Sequence, residues 1–166
     1  MSAGITLEDA ADLVHREGHL LDRARWDDWL ALYAPEAVFW VPAWRDEHEL
    51  VEDPATEVSL IHCAARAGLE DRVWRVRSGL SPASDPLPRT SHLIGSVIAA
   101  GDADGVYEVH ASWTCHVFDL RRRETHVLFG RYEHRLARRD SGLLIVRKKV
   151  VLMNDRIPTM LDFYSV

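Results

Sequence analysis

Residues 106–117 read VYEVHASWTCHV and alternate without a break. Tyr107, Val109, Ala111, Trp113, Cys115 and Val117 occupy one set of positions, and Glu108, His110, Ser112, Thr114 and His116 the other. Successive side chains of a strand point to opposite faces, so this pattern predicts a strand with one face buried and the other polar. The same period starts in RTSHLIGSVIAA, turns through GDADG, and returns after RRRE in THVLFGRYEHRLAR and after RDSG in LLIVRKKVVLM. Together these segments predict an antiparallel meander of four long strands joined by turn-sized links.

Upstream the period changes. In TLEDAADLVHREGHLLD, Thr6 with Asp9 three residues later forms a capping box, each able to satisfy an otherwise orphan backbone N–H. Leu7, Ala11, Val14, Gly18 and Leu21 then mark a buried helical stripe. RWDDWLALY predicts a short helix with Trp26, Trp29, Leu30 and Tyr33 on one face, stopped by Ala34-Pro35 because proline disfavours helical geometry in the residue before it. AVFWVP follows as a strand, and VSLIHC as a shorter one. GLEDRVWRVRSG predicts a helix with Leu69, Val73 and Val76 buried, Glu70 and Asp71 near its positive end, Arg75 and Arg77 near its negative end, and Gly79 as the stop. RDEHELVEDPATE and LSPASDPLP read as loops. Helices first and antiparallel strands last describe a single α+β domain over residues 1–166. A strongly curved sheet closing over the helices would make a cone, its interior either holding a ligand or filled by side chains.

Composition narrows the function classes. A net charge of -6 argues against a nucleic-acid partner, and Arg121-Arg122-Arg123 reads as a solvated turn. No apolar run approaches the ~18 residues that suggest a membrane span. MSAGITLEDAADL lacks the parts of a signal peptide. The two cysteines, Cys63 and Cys115, have no paired-thiol or metal-ligand spacing, which points to a reduced, cytoplasmic setting.

Chemistry-bearing residues are few. Gly-rich phosphate loops and GxSxG elbows are missing from the sequence. His15 and His19 have the four-residue spacing that can place two imidazoles on one metal, but only Glu17 or Asp22 could be guessed as a third ligand, and HREGH is not HExxH. Asp27-Asp28 reads as solvated. His110 and His116 fall on the polar strand face, placed for a subunit contact. His62 beside Cys63 and His116 beside Cys115 point in opposite directions from their neighbours. That leaves PLPRTSHLIGSV, which sets Arg89, Thr90, Ser91 and His92 at a strand entry. His92 could serve as general acid or base. Alternatively, these side chains hydrogen-bond neighbouring segments and fix the strand, the reading that residues alone favour.

Four segments in order, LLDRARWDDWLALYAPEAVFWVP, DPATEVSLIHCAARAGLEDRVWRVRSG, PRTSHLIGSV and RKKVVLMNDRIPTMLDFY, resemble the small (β) subunit of Rieske-type aromatic-ring-hydroxylating dioxygenases. GLEDRVWR, RTSH and NDRIP resemble most the benzoate, toluate and anthranilate 1,2-dioxygenase group. The resemblance implies the cone-shaped fold shared with nuclear transport factor 2, scytalone dehydratase and ketosteroid isomerase. It further implies a non-catalytic subunit that joins a large α subunit, usually as α3β3 with β–β contacts, in an oxidoreductase forming cis-dihydrodiols from an aromatic carboxylate. The α subunit would carry the Rieske [2Fe–2S] cluster and the mononuclear Fe(II), with electrons from NADH arriving through a reductase. A Rieske cluster needs two Cys and two His in closely spaced motifs, which Cys63 and Cys115 do not supply, and no facial triad is evident. On this reading no metal, cofactor or catalytic residue is expected on this chain, and Arg89, Thr90, Ser91 and His92 are structural or interface anchors. The alternative is a free-standing lyase, hydratase or isomerase on the same cone, with His92 as acid–base group.

Overall fold

The computed structural model describes residues 4–154 and 156–166, so Asp155 of the NDRIP motif and the first three residues of the MSAGITLEDAADL segment lie outside the described residues. Thr6 caps helix α1 (Leu7–Asp22) as its sequence requires: the hydroxyl accepts the Asp9 N–H, and the Asp9 carboxylate accepts the Thr6 N–H, both at 3.1 Å. The buried face of α1 differs from the predicted stripe. Leu7 is exposed and Ala11 half-buried, while Ala10, Leu13, Val14, Glu17, Gly18, Leu20 and Leu21 are buried. The arc widens because α1 meets strands on one side and, on others, helix α2 (Trp26–Leu30) and the turn Phe163–Ser165.

Helix α2 is five residues long, shorter than predicted, and Tyr33 already opens strand β1 (Tyr33–Pro42). The restriction that Pro35 places on Ala34 favours extended chain as much as it forbids helix. Pro35 falls in a break of the β1 ladder, between Tyr33 and Val38, where its missing N–H is tolerated. Strand β2 (Ser59–Cys63) forms as expected. Helix α3 (Arg66–Arg77) starts earlier than predicted, so Glu70 and Asp71 sit beyond its first turn, whereas Arg75 and Arg77 do fall in its last. Gly79, with φ +70°, follows it.

The meander is β3 (Arg89–Ala103), β4 (Val106–Asp119), β5 (Glu124–Arg139) and β6 (Gly142–Leu152). The sheet order is β2-β1-β6-β5-β4-β3, with β1 and β6 parallel and the other neighbours antiparallel. All six apolar positions of the β4 alternation are buried, and its histidines look the other way. Among the described residues no helix is long and apolar enough to cross a membrane.

The concave side is packed with side chains. Trp113 stacks on Tyr132 with ring centroids 5.1 Å apart, and Trp29 stacks on Phe163 at 4.9 Å. Phe163, Tyr164, Ser165 and Val166 are all buried. Helix α1 approaches β3 at Gly18, where a Cβ would lie 2.9 Å from Ile94 Cδ1 and 3.2 Å from His92 Cβ. A second close approach is tighter: a Cβ on Gly130 would lie 1.8 Å from the Val151 carbonyl oxygen of the neighbouring strand.

The two glycines should therefore respond differently to alanine. Gly130→Ala forces backbone apart and is expected to destabilise by about 1–3 kcal/mol or more, the range for overpacking. Gly18→Ala presses first on the movable end of Ile94 and should be milder. Urea denaturation of both variants ranks them, and equal midpoints would contradict this account of the packing.

Candidate functional site

Helix α1 carries two carboxylates to the concave sheet face, and each gathers a set of donors. Glu17 is 1% exposed. Its Oε1 accepts from Lys148 Nζ at 2.9 Å, from the Tyr33 hydroxyl, and from Trp29 Nε1 at 3.4 Å. Its Oε2 accepts from His134 Nε2 at 2.9 Å. His134 and Lys148 face each other across β5 and β6 and are both 0% exposed. Lys148 also lies 3.4 Å from the Val166 carbonyl oxygen and 4.2 Å from the Tyr132 ring centroid.

The charges follow from these contacts. Burial opposes ionisation of Glu17, but the Lys148 ammonium and the hydrogen bonds from His134 and Tyr33 outweigh it and hold the carboxyl well below its ordinary range. Burial pulls Lys148 down, against the attraction of Glu17. Burial also lowers His134, keeping the ring neutral at pH 7 with Nε2–H donating to Glu17. Burial and the Glu17 charge raise Tyr33, which stays a donor.

Asp22, at the end of α1, makes the second set. Oδ1 accepts from His92 Nδ1 at 2.6 Å and from the Thr90 hydroxyl at 2.9 Å, and Oδ2 accepts the His92 backbone N–H at 2.8 Å. Partial burial opposes its ionisation, but the hydrogen bonds from His92 prevail and lower it. One turn and more upstream, His15 Nε2 lies 3.2 Å from the Ile94 carbonyl oxygen. Strand β3 is an edge strand, whose outward backbone groups lack a ladder partner. Two of them, the His92 N–H and the Ile94 carbonyl, meet side chains of α1 instead of a seventh strand.

RTSH therefore splits by strand alternation. Thr90 and His92 turn inward onto Asp22. Arg89 and Ser91 are exposed, Arg89 with its guanidinium carbon 6.0 Å from the centroid of the Phe118 ring. The His92 side chain is wholly buried. Its carboxylate-held Nδ1 would suit an acid–base role, but a substrate would have to reach it beneath α1. Cys115 Sγ is 3.9 Å from that nitrogen, and burial with the Asp22 charge pushes the thiol up to about 12, so it is no nucleophile.

A cavity of about 380 Å³ lies elsewhere, between β4, β5 and the C-terminal segment, with Val117, Leu128, His126 and Tyr164 among its lining residues and His92 not among them. His15 and His19 are exposed, and no cluster of three His, Cys, Asp or Glu side chains among the described residues could hold a metal. Asp27 and Asp28 pair with Arg77 and Arg25 at the surface. The convex face of the sheet shows Leu93 (61% exposed), Phe129 (45%) and Val127 (38%). Leu93 and Phe129 both flank Thr114, and Val127 is opposite His116, so these apolar side chains form one patch.

Glu17 and Asp22 enter the sequence reading only as spare carboxylates near His15 and His19. The signal for Glu17 is its phase: it stands among Leu13, Val14, Leu20 and Leu21, where a charge has no solvent. Lys148 carries the same signal against Val150 and Leu152, and His134 against Tyr132 and Leu136. Three polar residues in buried phase on three elements call for one another.

Residues 16–159 match the family described as ring hydroxylating beta subunit. The chain is 44% identical over 158 residues to the 2-halobenzoate 1,2-dioxygenase small subunit of Burkholderia cepacia, covering 95% of this chain and 94% of that one. It is 40% identical over 162 residues to the toluate 1,2-dioxygenase subunit beta of Pseudomonas putida, covering 98% and 99%. The crystal structure of the beta subunit of the benzoate 1,2-dioxygenase from Burkholderia mallei matches over 100% of both chains at 34% identity, with a TM-score of 0.82.

Removing one partner of the buried pair should be far worse than removing both. Lys148→Met strands the Glu17 charge and is expected to cost about 3–5 kcal/mol, while Glu17→Gln with Lys148→Met together should recover most of that loss. Because the folded Glu17 pKa lies below its ordinary 4.5, its contribution is full above that value and fades as pH falls below it toward the folded pKa. Acid titration should thus weaken the wild type more steeply than the double variant. Parallel denaturation curves from pH 7 to 3 check both statements.

Proposed function

The chain belongs to the ring hydroxylating β-subunit family, and from that premise we propose that it braces an oxygenase whose reacting centres lie on another polypeptide. The observation that carries this is the match along nearly its whole length to small subunits of 2-halobenzoate and toluate dioxygenases. Both names denote aromatic carboxylates, so an aromatic carboxylate converted to a cis-dihydrodiol is the substrate class we assign to the complex. The large α subunit supplies the Rieske [2Fe–2S] cluster and the mononuclear Fe(II), NADH supplies electrons through a reductase, and the assembly is α3β3 with β–β contacts in the cytoplasm.

In this reading the whole of residues 1–166 is one supporting domain. Thr90 and His92 fasten β3 to α1 through Asp22, and Arg89 and Ser91 face a neighbouring subunit. The complete burial of the His92 side chain supports the fastening role over a cone-fold lyase, since a general base must come within hydrogen-bond reach of its substrate. The Leu93–Phe129–Val127 patch on the convex face is the apolar part of a subunit contact.

Co-expression with the large subunit is expected to give a stable hexamer, while this chain purified alone should hold no iron and consume no oxygen. A β chain that stays monomeric beside a folded α subunit, or oxygen-consuming turnover by the isolated chain, overturns the proposal. Phe129→Asp places a charge in the patch and should weaken assembly at least tenfold without altering the denaturation midpoint of the isolated chain. Analytical ultracentrifugation reads the first quantity and urea denaturation the second.

A further inference from the structure

Toward one end of the sheet the inward face changes character. Along the β4–β5 ladder, Cys115 is opposite Leu128, then Val117 opposite His126, then Asp119 opposite Glu124, so the pairs pass from apolar to charged. The cavity of about 380 Å³ lies at this end, a volume within the range of about 300–1,000 Å³ typical of small-molecule sites. Its floor is apolar: Val117, Leu128 and Tyr164 are buried, and Leu161 is half-buried. The Tyr164 hydroxyl lies 3.0 Å from Ser84 Oγ, which ties that ring to the turn Pro82–Ser84 in the cavity wall.

The rim is built by the turn after β4. Arg121 donates to the Asp85 carbonyl oxygen, and Arg122 donates to the Pro158 carbonyl oxygen at 3.1 Å. A carbonyl accepts a hydrogen bond without cancelling the charge, and a guanidinium keeps further N–H donors to spare. Among the described residues neither guanidinium is in an ion pair. Asp119 stands in the same turn, but its Oδ1 accepts the Arg121 and Arg122 backbone N–H groups at 2.8 and 2.9 Å. Asp85 also lines the cavity, on the loop that Arg121 reaches. Arg122 is therefore the cation left for a ligand, with Thr159 and His126 lining the same cavity. Burial lowers His126, so its ring is neutral at pH 7 and offers a hydrogen bond in place of a charge.

We propose that this cavity binds an aromatic carboxylate on the β chain itself, with the ring against Val117, Leu128 and Leu161 and the carboxylate on Arg122. An apolar floor beneath one uncommitted guanidinium matches a ligand with an apolar body and a single anionic end. The choice of an aromatic body rests on the substrate class proposed above, whereas the apolar and anionic parts rest on the cavity. No bond is made or broken there, and the site retains the acid on the bracing subunit.

Benzoate is the probe. Titrated into the 15N-labelled full chain at pH 7, it should give saturable shifts centred on the amides of Val117, His126, Leu128 and Leu161, half-complete below about 10 mM. Benzyl alcohol, which keeps the ring and lacks the charge, should bind about fivefold more weakly. Arg122→Gln should weaken benzoate about fivefold and leave benzyl alcohol unchanged. Leu161→Trp fills the cavity and should abolish binding of both. Shifts that do not saturate or that centre elsewhere, or benzyl alcohol or hexanoate bound as tightly as benzoate, overturn the assignment. Unchanged benzoate affinity in either folded variant does the same. If the variants do not fold, the wild-type map and the alcohol comparison decide. Because the chain is titrated without the large subunit, a stable hexamer whose β chain ignores benzoate sinks this inference alone. Benzoate bound by a chain that never assembles sinks only the bracing role.

Discussion

The buried pair of Glu17 and Lys148 fixes where helix α1 sits, and most of the molecule is arranged around that placement. A helix whose inner face were wholly apolar could slide or turn on a curved sheet with little change in buried area. Glu17 removes that freedom, because only one position brings its carboxylate to Lys148 at 2.9 Å, His134 at 2.9 Å, Tyr33 and Trp29 together. A buried ion pair adds little net stability over well-packed apolar side chains, since desolvation offsets the attraction. Its value here is register: the penalty for every wrong placement is an unpaired charge in the core.

Register at Glu17 determines what α1 can do one turn further on. With the helix seated, Asp22 arrives at the outer edge of β3, as does His15 seven residues before it on the same helix. The edge of a six-stranded open sheet presents unpaired backbone groups along its length. Side chains of α1 occupy that edge at His92 and Ile94, so the entry of β3 is closed to strand addition while its convex face stays free. Gly18 makes this possible by allowing α1 to come down onto His92 and Ile94 without a Cβ between them. The helix is thus both the lid of the core and the guard of the sheet edge.

How much of this the sequence discloses depends on whether the partner is near or far along the chain. The β4 alternation and the Thr6–Asp9 capping box are local, and each is realised as its residues require. The α2–β1 boundary is local too, but proline's exclusion of helix is silent about what replaces it, and tertiary pairing with β6 draws Tyr33 into the strand. Glu17 finds its partners 16, 117 and 131 residues away, and Asp22 finds His92 70 residues away. Nothing in a single sequence ties those positions together beyond their shared buried phase. RTSH reads as one cluster because adjacency in sequence is visible, whereas the alternation of a strand sends its members to opposite faces. The resemblance to a known family supplies the fold and the role without supplying any of these contacts.

A cone of this kind can present chemistry from its interior or from its exterior, and here the residues divide the two. Inside, the terminal segment Phe163–Val166 is buried against Trp26 and Trp29, and the imidazoles are each committed to a carboxylate of α1. Cys115, next to His92, is kept protonated by its surroundings. A group so enclosed and so paired stiffens the sheet on which it stands. Outside, the convex face carries the exposed side chains of Leu93, Phe129 and Val127 beside the polar row of β4. An interior spent on rigidity and an exterior left partly apolar are what a bracing subunit requires, because a partner can be held in a fixed geometry only by a surface that does not itself yield.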